Sequence, residues 1–151
     1  MGKCRFSVVS WESSGGRNLE LGIKKMGVAV TVLFEKLYLG DEAKGNETAD
    51  LVRPLLAEGE ELLRATKGIR DGAVFTTKRI IVVNKQGITG RKVEFTSIPL
   101  RSITAFTIEN SGTFDLDAEL TVYGSGFGKA TMQFTKGFDV SKLGQYLAET
   151  L

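Results

Sequence analysis

Two stretches near the C-terminus alternate apolar and polar residues with a period of two. Leu116, Ala118, Leu120 and Val122 interleave with Asp117, Glu119, Thr121 and Tyr123. Beyond Gly124 to Gly128, Ala130, Met132 and Phe134 interleave with Lys129, Thr131, Gln133 and Thr135. Successive side chains of a strand point to opposite faces, so this pattern demands one dry face and one wet face. An antiparallel hairpin laid over a core satisfies it. The period then changes: Asp139 is placed to cap a helix on which Val140, Leu143, Leu147 and Leu151 form an apolar stripe.

Upstream, short runs with strand character follow one another, separated by turn residues. Glu60–Lys67 reads as a strand, Gly68 to Gly72 as a turn, Ala73–Thr76 as a second strand and Thr77-Lys78 as a turn. Arg79–Asn84 is a β-branched run suited to crossing the core. Lys85-Gln86-Gly87 turns again, and Arg91–Ser97 follows with Val93 and Phe95 facing one way. Pro99 separates it from Arg101–Glu109. Before these strands, Asn46 or Thr48 is placed to cap a short helix through Leu51, Val52, Leu55 and Leu56, which Pro54 shortens or bends and Gly59 ends. The chain has 151 residues, enough for one core, and its 18 Gly against 2 Pro suit tight turns. The expected fold is mainly β: a seven-stranded, partly open antiparallel barrel or sandwich with a C-terminal capping helix and a short N-terminal helix.

Residues 1–47 show no steady period and are read as an atypical N-terminal extension, with the domain proper at 48–151. Ser13-Ser14-Gly15-Gly16 is a flexible stretch, Asp41 to Asn46 is read as a loop, and Met26-Gly27 resembles a second start. Residues 1–25 are therefore expected to be a disordered tail or to lie upstream of the natural start.

The absences exclude most chemistry. There is no histidine, and Cys4 is the single cysteine. That removes Ser-His-Asp and Cys-His nucleophiles, every zinc site containing histidine, and every internal disulfide. No enzyme activity, cofactor or metal is expected. The longest apolar run, Val28 to Phe34, is far shorter than the roughly 20 residues of a membrane-spanning helix. Phe6 occupies the place where a myristoylation motif needs Ser or Thr. With no secretory pattern behind Lys3 and Arg5, the expected location is the cytoplasm.

Net charge is only +2, but the charge is polarised along the chain. From Arg64 to Lys92 eight basic residues face Asp71 alone, a net of +7; from Val93 to Leu120 Arg101 faces five acids, a net of −4.

The chain from Leu55 to Leu151 resembles the bacterial PH-like (pleckstrin-homology-like) domain family. The resemblance is carried by Leu56 to Glu61, Gly68 to Ile81, Lys85 to Phe95, Ser97 to Thr104 and Gly112 to Leu120, in the family's order. It implies a PH-like fold, no catalytic activity and assembly into cyclic homo-oligomers. It does not imply a ligand.

Three groups of residues invite a functional reading. Lys67 and Arg70 flank the first strand–strand turn, and Lys85, Arg91 and Lys92 flank the third. On one end of the barrel they would meet phosphate groups or an anionic lipid surface. The plainer reading makes them solvated turn residues or interface charges. Asp115, Asp117 and Glu119 form an acidic group that suits an interface better than catalysis, because alternating acids are what the wet face of a strand carries anyway. Gly87-Ile88-Thr89-Gly90 lacks the P-loop pattern, and nine of the thirteen aromatic residues are Phe, mostly at core-facing positions without interleaved basic residues. Nucleic acid is thus not an expected partner. Opposed charge blocks and strand edges suit a monomer with a dipolar surface as well as an assembly. With the family resemblance added, the expected protein is a self-assembling scaffold that binds an unidentified protein, with anionic lipid as the alternative partner.

Overall fold

A computed structural model describes residues 32–40, 45–110, 117–135 and 138–151. The C-terminal alternation becomes a hairpin of β7 (Ala118–Gly124) and β8 (Gly128–Phe134), paired in register from Ala118↔Phe134 to Gly124↔Gly128. β6 (Ile103–Asn110) runs antiparallel along β7. The other side of β8 is occupied by β1 (Val32–Gly40), which runs parallel to it. These four strands form one sheet in the order β1-β8-β7-β6. The other sheet, wholly antiparallel, contains β2 (Leu62–Lys67), β3 (Asp71–Thr76), β4 (Arg79–Gln86) and β5 (Lys92–Pro99) in sequence order; it is the first sheet, and the β1-β8-β7-β6 sheet is the second. Helix α1 (Gly45–Val52) and a 3-10 turn at Arg53–Leu55 precede β2, a 3-10 turn at Leu100–Ser102 links β5 to β6, and α2 (Val140–Thr150) closes the chain.

The main core contains the inner faces of both sheets and one face of α2. Phe75, Ile80, Ile98, Leu120, Met132, Phe134, Leu143 and Leu147 are almost completely excluded from solvent. Phe134 stacks on Phe138 with ring centroids 4.1 Å apart, and Phe75 meets Tyr146 edge-on at 6.0 Å. On the reverse face of β3 and β4 a smaller cluster joins Val74, Ile81 and Val83 to Val52 of α1. Burial on both faces explains why Ile80-Ile81-Val82-Val83 is continuously apolar rather than alternating. Asp139 caps α2 by accepting a hydrogen bond from the Lys142 amide at 3.3 Å. That bond and the Lys142 charge hold its carboxyl below the ordinary range.

The structure departs from the sequence reading in four places. Eight strands, not seven, lie among the described residues, because β1, in the segment read as an N-terminal extension, is hydrogen-bonded into the sheet; residues 1–25 lie outside the described residues. The sheet carrying β1 is mixed rather than antiparallel. Register shifts between Val32 and Phe34 and between Phe34 and Leu37 break the alternation that would have marked the strand; only Leu37 and Leu39, buried between exposed Lys36 and Tyr38, keep it. Helix α1 starts at Gly45, so Asn46 and Thr48 lie inside it rather than capping it, and Thr48 is buried. The apolar stripe of α2 stops at Leu147: Leu151 is half exposed beyond the helix end.

Candidate functional site

The β2–β3 and β4–β5 turns project from the same end of the first sheet, since β3 and β4 pair antiparallel from Asp71↔Asn84 onward. The first turn is closed by the Gly68 amide donating to the Asp71 carbonyl at 2.7 Å, and it is tied to β4 by the Lys85 amide donating to the Arg70 carbonyl at 3.2 Å. These bonds gather Lys67, Arg70 and Lys85 around one small depression, floored by Gly72 and Val83 and bounded by Thr48 and Leu51 of α1. Arg91 and Lys92 do not line it. They are exposed on the neighbouring β4–β5 turn, so the five basic residues form a basic end rather than one pocket.

Their electrostatic situations differ. Lys67 is ion-paired and hydrogen-bonded with Glu47 of α1. Arg70 is exposed and its backbone is fixed at the turn. Asp71 is the single acid lining the depression among the described residues, and partial burial pushes its carboxyl above the ordinary range while the Arg70 charge opposes the rise. The tips of the two turns carry Ile69 and Ile88, both fully exposed. Sequence reasoning placed them in turns but gave them no role, although an isoleucine between turn-forming glycines and basic residues was visible.

The acidic group is differently placed. Asp115 lies outside the described residues. Glu119 of β7 is salt-bridged to Lys36 of β1 at 3.0 Å, a pairing that raises the lysine pKa. Asp117 accepts a hydrogen bond from Gln133 Nε2 at 2.6 Å. The strand that sequence reading left out thus supplies the counter-charge to one of the acids offered as an interface. Among the described residues no group of three or more His, Cys, Asp or Glu is placed to hold a metal, and no helix is long and apolar enough to cross a bilayer.

At the opposite end of the first sheet a polar knot went unanticipated. The Glu60 carboxylate accepts from Arg79 Nε at 2.9 Å, Thr76 Oγ1 at 2.6 Å and the Ala57 amide at 2.8 Å. Arg79 also donates to the Leu55 carbonyl at 2.6 Å and Ser97 Oγ at 3.1 Å. Each group in the knot is satisfied by its neighbours, which marks it as structural.

The comparisons with known proteins agree with this architecture. The family model of the bacterial PH domain matches residues 34–151. Two uncharacterised proteins of Bacillus subtilis (strain 168) are similar. YjqA is 48% identical over 94 residues, covering 59% of this chain and 75% of YjqA. YozO is 30% identical over 103 residues, covering 68% of this chain and 89% of YozO. Among solved structures, a protein with a pleckstrin-homology domain from Shewanella loihica PV-4 is 40% identical with a TM-score of 0.64, over 73% of this chain and 95% of that one. A pleckstrin homology domain from Shewanella amazonensis SB2B is 36% identical with a TM-score of 0.57, over 86% of this chain and 97% of that one. The two-sheet fold, its C-terminal helix and these matches together make the chain a member of the bacterial PH domain family.

Proposed function

We propose that this protein is a non-catalytic cytoplasmic module that docks on phosphate-bearing anionic partners through its basic end. The observation that carries the reading is the gathering of Lys67, Arg70 and Lys85 around one depression, with Arg91 and Lys92 on the adjacent turn. Each cation near an anionic lipid surface contributes about 1 kcal/mol, falling off within a Debye length of about 8 Å at physiological salt. A rigid turn holds such charges in place at little entropic cost. The test is co-sedimentation with phosphatidylserine-containing vesicles and retention on immobilised polyphosphate, each in low and high salt. Salt-sensitive binding that Arg70→Glu with Lys85→Glu abolishes supports the reading; binding to neither anion removes it.

A second reading, self-assembly into a cyclic homo-oligomer that presents a protein-binding surface, has its own support. β5 ends the first sheet and β6 ends the second, and a strand edge offers a row of backbone groups for pairing with another copy. Opposed charge blocks support it less, because Glu119 and Asp117 already have partners within the chain. Light scattering separates the two readings: a discrete multimer that persists without anions favours assembly, and a monomer at micromolar concentration excludes it.

A further inference from the structure

Ile69 and Ile88, at 99% and 104% of full exposure, are the most open large apolar side chains among the described residues, and the next, Tyr38, is 62% exposed. An isolated exposed apolar residue is ordinary and needs no explanation. These two share a setting. Ile69 is the second residue of the Gly68–Asp71 turn. Ile88 is the second residue of Gly87–Gly90, closed by the Gly90 amide donating to the Gly87 carbonyl at 3.3 Å, with both glycines at positive φ. The pairing of β3 with β4 sets the two turns side by side at one end of the sheet. Turn tips favour Gly, Asn, Asp, Ser and Pro, so a β-branched apolar residue at both tips does not follow from turn chemistry. Nor does it follow from packing, because nothing among the described residues covers either side chain.

Their neighbours supply the reason. Arg70, Lys85, Arg91 and Lys92 each lie within four residues of Ile69 or Ile88 in sequence, and the last two are exposed. Apolar tips ringed by cations fit the boundary of an anionic leaflet, where headgroups meet acyl chains. A soluble polyanion gains nothing from isoleucine. Resting on the docking reading above, the geometry points to a lipid bilayer as the partner: Ile69 and Ile88 insert as paired wedges below the headgroups that the flanking cations hold. The wedges add a component of binding that salt does not screen, whereas the charges alone give a salt-labile encounter.

The test uses the full chain with Cys4→Ser and a single new cysteine, at Ile69→Cys, Ile88→Cys or, at the opposite end of the same sheet, Lys78→Cys. Each carries an environment-sensitive fluorophore. With phosphatidylserine/phosphatidylcholine vesicles, the labels at 69 and 88 are expected to brighten and shift to the blue while the label at 78 does not change. With inorganic polyphosphate none of the three responds. In the unlabelled chain, Ile69→Ser with Ile88→Ser is expected to lower vesicle affinity by about tenfold, most visibly in high salt. Both side chains are exposed, so folding is not at stake. Vesicle capture with silent labels at 69 and 88 overturns the wedge and leaves electrostatic docking standing. An equal response to polyphosphate also overturns it, in favour of a soluble anion. Capture by neither anion overturns the wedge and the docking reading together.

Discussion

Gly40 and Gly68 lie backbone against backbone where β1 crosses the end of β2. A Cβ on Gly40 would stand 1.9 Å from the Lys67 carbonyl oxygen, and one on Gly68 would stand 2.2 Å from the Tyr38 carbonyl oxygen. Neither position has room for a side chain, and Gly40 also adopts a φ of 69° that suits glycine alone. The close crossing seats the first basic turn directly on the end of β1.

Gly40→Ala and Gly68→Ala are therefore each expected to destabilise the fold by more than about 1 kcal/mol, read from urea denaturation midpoints. Amide exchange at Leu37 and Leu39 should speed up in both variants, because β1 is levered off its seat. Gly59→Ala is the control. Its φ is also 69°, but nothing lies within 4 Å of the added Cβ, so only the conformational cost of about 1 kcal/mol applies. Equal losses at all three positions would show that the crossing is not tight.

The knot at the other end sets the acid limit of the fold. Glu60 is buried, and hydrogen bonds from Arg79, the Ala57 amide and Thr76 hold its carboxyl at about 2 despite the opposing effect of burial. A carboxyl whose pKa is depressed on folding adds stability that is complete above its unfolded pKa and is lost as pH falls through the folded one. Stability is thus expected to drop between about pH 4.5 and pH 2, and Glu60→Gln should flatten that part of the profile. Arg79→Ala should cost more at neutral pH than Glu60→Gln, about 3 kcal/mol or above, since it strands a buried carboxylate while the glutamine variant leaves a partly exposed guanidinium for water to solvate. Urea midpoints measured from pH 2 to 7 check both statements.

Among the seven strands legible in the sequence, four carry one of two physical signatures. β7 and β8 bury one face each, so polarity alternates; β3 and β4 bury both, so Ile80 to Val83 is continuously apolar. β1 has neither signature. Its register shifts move Phe34 and Leu37 out of simple alternation, and its partner strand lies almost a hundred residues away, at Lys129 to Phe134. No local pattern records such a parallel pairing. The same blind spot hid two features of the candidate site, the Glu47 counter-charge to Lys67 and the Lys36 counter-charge to Glu119, because both lie in the segment before 48. The basic residues themselves were legible as turn-flanking charges. Which three would share a depression depended on the tie between Lys85 and Arg70, which is a product of the fold.

Helix α2 is fastened to the first sheet by a long-range hydrogen bond from Tyr146 Oη to the Thr76 carbonyl, 2.6 Å in length and buried. Burial pushes the phenol far above its ordinary pKa, so it remains a donor throughout the range in which the protein is handled. Tyr146→Phe keeps the edge-on contact with Phe75 and removes only the hydroxyl. The expected cost is about 1 kcal/mol, a fall in Tm of about 4–8 °C for a domain near 100 residues. Leu147→Ala, by contrast, opens a void in the main core and is expected to cost about 2–5 kcal/mol. Calorimetry on the two variants distinguishes a fastening from a packing defect; similar losses would mean that the hydroxyl carries more than one bond.

Asp71 gives the most direct handle on the basic end, because it opposes the surrounding cations without being needed to build the turn. Its backbone carbonyl, not its carboxyl, closes the Gly68–Asp71 turn, so Asp71→Asn preserves that bond while removing the one negative charge that the described residues place on the depression. One charge near an anionic surface is worth about 1 kcal/mol, or about fivefold in affinity. Asp71→Asn is therefore expected to bind phosphatidylserine vesicles about fivefold more tightly at neutral pH and low salt, and the gain should shrink in high salt. Mild acid should narrow the difference between the two proteins, since partial burial already holds the Asp71 carboxyl above the ordinary range and protonation removes the same charge. Vesicle co-sedimentation across pH and salt reads all three trends. An unchanged affinity would mean that bound lipid lies beyond the reach of Asp71, and would move the contact outward to Arg91 and Lys92 on the neighbouring turn.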